Sequence, residues 1–290
     1  MSAFAPHPVY GSFELDPSIA TVGVELPVGT LSAYLAEPDE PARATALLVP
    51  GYTGSKEDFR LLLPELRALG VRGLAITRRG QADSAAPDDP ESYELDAEAG
   101  DVAQIAALLA AVTGDDAVHL LGHSLGGVVA ARAASLAPER FASLTMLCSG
   151  PHGWPHRKLR ERVLAGTEGN LALWDAGNPR WQGVGDEQMD ADARFVKQRM
   201  LDTSARSIVG GAVILESEHD LTDEVAGTEL PALVAHGEHD DAWPIPWQRA
   251  MAEALGARYA VIEGAFHSPG LEQPAATAAL LADFWSGPQA

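Results

Sequence analysis

Six short strand-forming runs constrain this chain more than any other feature; they lie at residues 44–49, 71–77, 117–121, 143–148, 233–236 and 258–262. Runs this short suit strands better than buried helices. Most lack polar alternation, the pattern of strands covered on both faces, as in a parallel sheet. Stretches with helical spacing lie between and after them, at residues 59–69, 95–112, 128–136, 247–255 and 274–285. Residues 21–26 and 30–36 flank Pro27-Val28-Gly29 and read as a hairpin. The alternation predicts α/β architecture: a mainly parallel sheet of about eight strands with helices on both faces.

That rhythm breaks between Ser149 and Glu229. Pro151, Trp154, Pro155, Trp174, Pro179 and Trp181 fall here with a basic stretch at 157–162, and no convincing strand. Met189, Ala193, Val196 and Met200 keep helical spacing, as do Ile208, Ala212 and Leu215. The expectation is a core domain from residues 1–150 and 229–290, carrying a mostly helical cap inserted at 151–228. The stretch 85–90, rich in Pro and Asp, reads as a surface loop.

Charge and composition remove several function classes. A formal net charge of −21 disfavours binding to nucleic acid, which needs clustered Lys and Arg. No apolar run approaches the ~18 residues of a membrane span. The N-terminus has neither a basic region nor an apolar stretch of the secretory kind. With one cysteine, Cys148, no intrachain disulfide can form, which fits a reducing cytoplasm. A cytoplasmic protein acting on a small molecule is the expectation.

Gly122-His123-Ser124-Leu125-Gly126 sits between a predicted strand and a predicted helix. A Gly-x-Ser-x-Gly there makes a sharp, strained turn that lifts the serine hydroxyl off the sheet, with small neighbours where backbones crowd. Serine is a weak nucleophile at neutral pH and needs a base, oriented in turn by an acid. Residues 233–240 place Asp240, and next to it Asp241, just past a strand. Residues 261–267 place His267 just past the following one. Ligands meet open α/β sheets at such strand ends.

Four motifs together resemble the α/β-hydrolase fold family, of its capped, lipase- and esterase-like kind, over nearly the whole chain. Gly51-Tyr52-Thr53-Gly54-Ser55 resembles the family's oxyanion loop, with Pro50 where histidine is commonest. Arg79-Gly80-Gln81-Ala82-Asp83-Ser84 resembles the loop after its fourth strand, with Ala82 in place of a usual glycine. Gly237-Glu238-His239-Asp240 followed by Pro244 resembles its acid loop, and His267-Ser268-Pro269 with Glu272 and Pro274 its histidine loop.

The resemblance implies Ser124 as nucleophile, His267 as base and Asp240 as acid, with Asp241 the alternative. It further implies oxyanion donors in the backbone N–H groups of Tyr52 and Leu125, with no cofactor and no metal required. The implied activity is hydrolysis of carboxylic esters through an acyl-enzyme, on small to medium apolar substrates. Thioester, lactone and carbon–carbon bond hydrolysis and perhydrolysis use the same three residues and stay open, as does a non-catalytic ligand-binding protein. His236 and His239 lack a third ligand at metal spacing and read as loop residues. His123 reads as packing beside the sheet, Cys148 as an inert core residue, and the tryptophans as either packing or an acyl-pocket lining.

Overall fold

Alternate side chains of one strand enter two different apolar layers. In β4 (Ala44–Val49), Leu47 and Val49 pack on one side of the sheet, while Ala44, Ala46 and Leu48 pack on the other. The first layer lies under α2 (Leu95–Thr113) and α3 (Leu125–Leu136), which contribute Val102, Ile105, Leu109 and Val129. The second lies under α1 (Leu62–Ala68) and the last helix, which contribute Leu63, Leu66, Leu281 and Trp285. Covering both faces explains why these runs carry no polar alternation. Each buried leucine contributes about 1.5–3 kcal/mol through removal from water.

The computed structural model describes residues 4–154 and 169–287. Pro155 and the basic stretch 157–162 lie outside the described residues. Among the described residues the sheet has nine strands in the order β1-β2-β3-β5-β4-β6-β7-β8-β9. Beyond β4 these are β1 (Phe4–Pro6), β2 (Ile19–Leu26), β3 (Gly29–Ala36), β5 (Val71–Ile76), β6 (Val118–His123), β7 (Phe141–Leu147), β8 (Ala232–Gly237) and β9 (Arg258–Ile262). β1 to β3 pair antiparallel, and β3 joins β5 antiparallel; all later pairings are parallel. The short edge strand β1 brings the total to nine, one more than the eight expected.

The helix expected at 59–69 is divided. A 3₁₀ turn covers Lys56–Phe59, and α1 begins only at Leu62. Pro64 accounts for the delay, because proline has no N–H to bond backwards and is tolerated only in a first helical turn. Conversely, α3 begins at Leu125, earlier than the apolar spacing alone marks.

Between β7 and β8 the described residues form no strand. They form α4 (Asn170–Gly177), α5 (Ala191–Asp202), α6 (Ala205–Glu216) and α7 (Thr222–Ala226). Asp190 and Ser204 cap α5 and α6, each side chain accepting from a first-turn N–H. The chain then completes the sheet with β8, α8 (Ile245–Leu255) and β9, and closes with α9 (Pro269–Glu272) and α10 (Pro274–Ser286). No described helix is long and apolar enough to cross a membrane.

Parallel register aligns the strand ends that carry the site. Val49 pairs Gly122, His123 pairs Leu147, Leu147 pairs Ala235 and Gly237 pairs Ile262. At the turn from β6 into α3, a Cβ on Gly122 would lie 2.2 Å from the Gly126 carbonyl oxygen, and one on Gly126 only 2.4 Å from that of Val49. Those neighbours are backbone and cannot swing aside. Gly122→Ala is therefore expected to cost more than about 2 kcal/mol of stability. Denaturant unfolding measures this, and an unchanged midpoint would contradict the packing described.

Candidate active site

Ser124 stands at the junction of β6 and α3 with φ 55° and ψ −124°. A non-glycine residue at positive φ costs roughly 1–3 kcal/mol and persists only where its surroundings over-determine it. Here they do. The Ser124 N–H donates to the Leu147 carbonyl at 2.9 Å, and its own carbonyl accepts from Gly127 N at 2.9 Å and Ser149 Oγ at 2.7 Å. The side chain is left half-buried at the mouth of the sheet. Among the described residues its hydroxyl has no hydrogen-bond partner, His267 included. Long nucleophile–base distances are common before substrate binds.

Two loops supply the other groups, and their backbones are joined. Glu238 N donates to the Ile262 carbonyl at 3.0 Å and His239 N to that of Ala265 at 2.9 Å. A Cβ on Gly237 would fall 1.9 Å from the Phe266 carbonyl oxygen, so the approach requires glycine. This junction sets His267 Nδ1 2.8 Å from Asp240 Oδ1. An ionised carboxylate only accepts, so Nδ1 donates to it, and in the neutral imidazole the lone pair then lies on Nε2.

The Asp240 side chain is fully buried, whereas Asp241 is exposed. Burial pushes the Asp240 carboxyl upward, but donors from His267, Gln248 and Ala242 outweigh it and hold the carboxyl below its ordinary value. Gln248 Nε2 reaches Oδ2 at 2.8 Å, and Ala242 N reaches Oδ1 at 3.1 Å. Of the two adjacent acids, Asp240 is the one placed against His267.

His123 packs beside the sheet and also holds the site together. Its Nε2 lies 2.6 Å from the His267 carbonyl oxygen, so Nε2–H donates to it. Burial, reinforced by nearby His267, lowers its pKa to about 4 and keeps it neutral. Glu272 fixes the other side of that loop, accepting from Phe266 N and Ser268 N. Cys148 is buried with φ 50°, and burial pushes its thiol up. Ligating atoms of His123, Cys148 and His267 lie within 4.8 Å of one another. Burial opposes formation of the Cys148 thiolate, the form in which cysteine ligates a metal.

The loop after β4 completes the site. A Cβ on Gly51 would lie 3.0 Å from Ser124 Cβ, which puts this backbone directly against the serine. Among the described residues, neither Tyr52 N–H nor Leu125 N–H meets an acceptor. Leu125 opens α3, where free N–H groups and the helix dipole favour negative charge. The Tyr52 side chain points to α6 and its hydroxyl donates to the Ile208 carbonyl at 2.9 Å. Trp154, one of the singled-out tryptophans, packs against Trp243 and Trp247, with ring centroids 4.3 and 5.7 Å away.

Sequence reasoning passed over Ser149, Gln248 and Arg78. Gln248 carried the one available signal, a polar residue on the otherwise apolar buried face of its helix.

A family model described as the alpha/beta hydrolase family matches residues 46–280. The chain belongs to the alpha/beta hydrolase family. It is similar to the pimeloyl-[acyl-carrier protein] methyl ester esterase of Yersinia enterocolitica, 32% identical over 181 residues, covering 57% of this chain and 67% of that protein. For the esterase of the same name from Aeromonas hydrophila the figures are 32% identity over 172 residues, 54% and 65%. The chain thus matches about two thirds of the length of these relatives. A putative 2-succinyl-6-hydroxy-2,4-cyclohexadiene-1-carboxylate synthase of Bacillus subtilis is 24% identical over 283 residues, covering 92% of this chain and 98% of that one. Among solved structures, a hydrolase from Pseudomonas aeruginosa PA01 superposes with a TM-score of 0.75 at 22% identity, over 92% and 98% of the two chains. The enol-lactonase of Burkholderia xenovorans LB400 gives 0.72 at 23%, over 89% and 97%. These two likenesses establish the hydrolase fold.

The buried histidine has a consequence for stability. An unfolded histidine takes a proton near pH 6.5, whereas folded His123 resists until about 4. Between those values the unfolded state binds more protons, so stability falls as pH drops. His123→Gln, which keeps a donor for the His267 carbonyl, is expected to flatten that dependence by up to about 1.4 kcal/mol per pH unit. Unfolding curves across the window test it. An unchanged slope would mean that folded His123 is already charged.

Proposed function

We propose that this alpha/beta hydrolase cleaves carboxylic esters through an acyl-enzyme, with Ser124 as nucleophile, His267 as base and Asp240 as acid. The observation that carries the reading is the placement of His267 Nδ1 against buried Asp240, which leaves Nε2 free to take the Ser124 proton. Ser124 Oγ attacks the substrate carbonyl carbon as its proton passes to His267 Nε2. Negative charge collects on the carbonyl oxygen, where the Tyr52 and Leu125 N–H groups receive it. The tetrahedral species collapses, and the leaving alcohol departs with the proton from His267. Water, deprotonated by the same nitrogen, then releases the acid. Asp240 holds the tautomer and stabilises the imidazolium.

The helices between β7 and β8 serve as a cap inserted at residues 151–228, over a core of 1–150 and 229–290. Their apolar and aromatic side chains favour small to medium apolar esters. The esterase names among its relatives support this bond class. The lone cysteine fits a cytoplasmic setting. A lactone is the second substrate to try, because the enol-lactonase shares the fold over nearly the whole chain.

Ser124→Ala is expected to leave the fold intact and to lower p-nitrophenyl ester hydrolysis about 10³-fold or more. Asp240→Asn should reduce kcat sharply, since the amide favours the wrong tautomer, while Asp241→Asn changes it less than threefold, or about 0.6 kcal/mol. Reversal of the two aspartate results would shift the acid by one residue. A series of esters of rising chain length, beside thioester and lactone panels, fixes the bond and the acyl size.

A further inference from the structure

The carbonyl of Gly51 is unusually well held. It accepts from Arg78 Nη2 at 3.1 Å, Gln81 Nε2 at 3.3 Å and Gly54 N at 3.1 Å. Arg78 and Gln81 are 3% and 1% exposed, so these bonds form away from bulk water. Arg78 is itself fixed by an ion pair with buried Glu98 of α2. The carbonyl belongs to the same peptide group as the Tyr52 N–H. In a planar trans peptide the two point in opposite directions, and no described peptide bond is cis.

We infer that Arg78 and Gln81 are positioning residues for the oxyanion donor of Tyr52: they orient and polarise that amide by holding its far end. The inference rests on the serine-hydrolase reading above. It assigns work to two residues that, among the described residues, make no hydrogen bond to Ser124.

Two physical reasons make such a hold necessary. The turn closed by Gly54 N contains Thr53 at φ 54°, a conformation that disfavours β-branched side chains. A loop strained in this way relaxes readily by rotating a peptide plane. Rotation of the 51–52 plane would turn the Gly51 carbonyl toward the serine, and a carbonyl there repels developing negative charge. A charged guanidinium on the carbonyl opposes the rotation, because a buried guanidinium left without its acceptor loses a strong hydrogen bond. The second reason is electronic. Donors on an amide oxygen draw electron density toward it, and this makes the N–H of the same group a stronger donor.

Neighbouring Arg79 supplies a built-in control. It is also buried in an ion pair, with Asp101, and donates to the Ser92 carbonyl, yet among the described residues it makes no hydrogen bond to Gly51.

The test compares ground-state and tetrahedral-state recognition. An alkylboronic acid forms a bond from Ser124 Oγ to boron, giving a tetrahedral anion that places an oxygen on the oxyanion donors. Boronate inhibition, kcat and KM are measured for Gln81→Leu, for the paired change Arg78→Met with Glu98→Gln, and for the control Arg79→Met with Asp101→Asn. We expect kcat to fall about 3- to 10-fold for Gln81→Leu and at least about 10-fold for the Arg78 pair, with KM within about twofold. The boronate inhibition constant should rise by the same factor as kcat/KM falls. The control should change neither by more than about twofold.

Gln81→Leu, which removes no charge, decides the matter if the Arg78 pair fails to fold. Unchanged boronate affinity in folded Gln81→Leu would overturn the inference, and so would an equal loss in the control. A parent protein that neither hydrolyses esters nor binds boronate sinks the serine-hydrolase reading, and this inference falls with it.

Discussion

Backbone contact at the turn from β6 into α3 is the constraint on which the rest of this structure depends. Gly122, Gly126 and Gly127 bring strand and helix so close that a Cβ at any of them would meet another atom within 2.5 Å. Because the helix must start at once, Ser124 is forced to positive φ. The same geometry leaves the Leu125 N–H free at a helix N-terminus, one residue on from Ser124. One steric demand thus accompanies both a half-buried serine hydroxyl at the mouth of the sheet and free N–H groups at a helix start. The strain at Ser124 is held by backbone bonds from β7 and by Ser149, so the neighbouring strand shares in maintaining it.

Electrostatics at the site follow from how loops are fastened to one another. The acid loop and the histidine loop are joined backbone to backbone, so the carboxylate and the imidazole meet without depending on long side chains. Burial would normally raise the Asp240 carboxyl, and its several donors reverse that effect. His123 contributes as a neutral donor to the His267 backbone, a role that its depressed pKa preserves across the neutral range. Asp240, His267 Nδ1 and His123 Nε2 are each engaged in hydrogen bonds, which the low dielectric of the interior strengthens.

The segment between β7 and β8 is bound into the scaffold as well as lying beside it. Arg199 of α5 bonds to Ser55 and Asp58 at 3.0 and 2.6 Å, and Tyr52 bonds to α6. Ser204 N reaches the Gly80 carbonyl at 2.7 Å, and Thr203 Oγ accepts from Ala82 N at 3.3 Å. That last contact bears on the substitution noted in the sequence. Ala82 stands where the family usually has glycine, yet it adopts φ 44°, with its N–H held by Thr203. Residues distant in sequence thereby support the loop that carries Tyr52.

Sequence alone was enough for whatever depends on local periodicity and local sterics. Unbroken apolar runs identified the covered strands, and the glycine spacing around Ser124 marked the turn. Two further strand ends located Asp240 and His267. Pro64 would have told of the late start of α1, had its effect on a first turn been weighed. Choice between Asp240 and Asp241 was different in kind, because adjacent residues share a strand end and differ only in direction. Tertiary structure tells them apart by burying one carboxylate against His267 and exposing the other. Arg78, Gln81 and Ser149 likewise meet partners 25 to 30 residues away, and Gln248 meets Asp240 eight residues away across the turn into α8. A residue's own propensity is written in its neighbours along the chain. The partner of a buried polar atom is set by how the sheet and its helices pack, and that packing exists only in three dimensions.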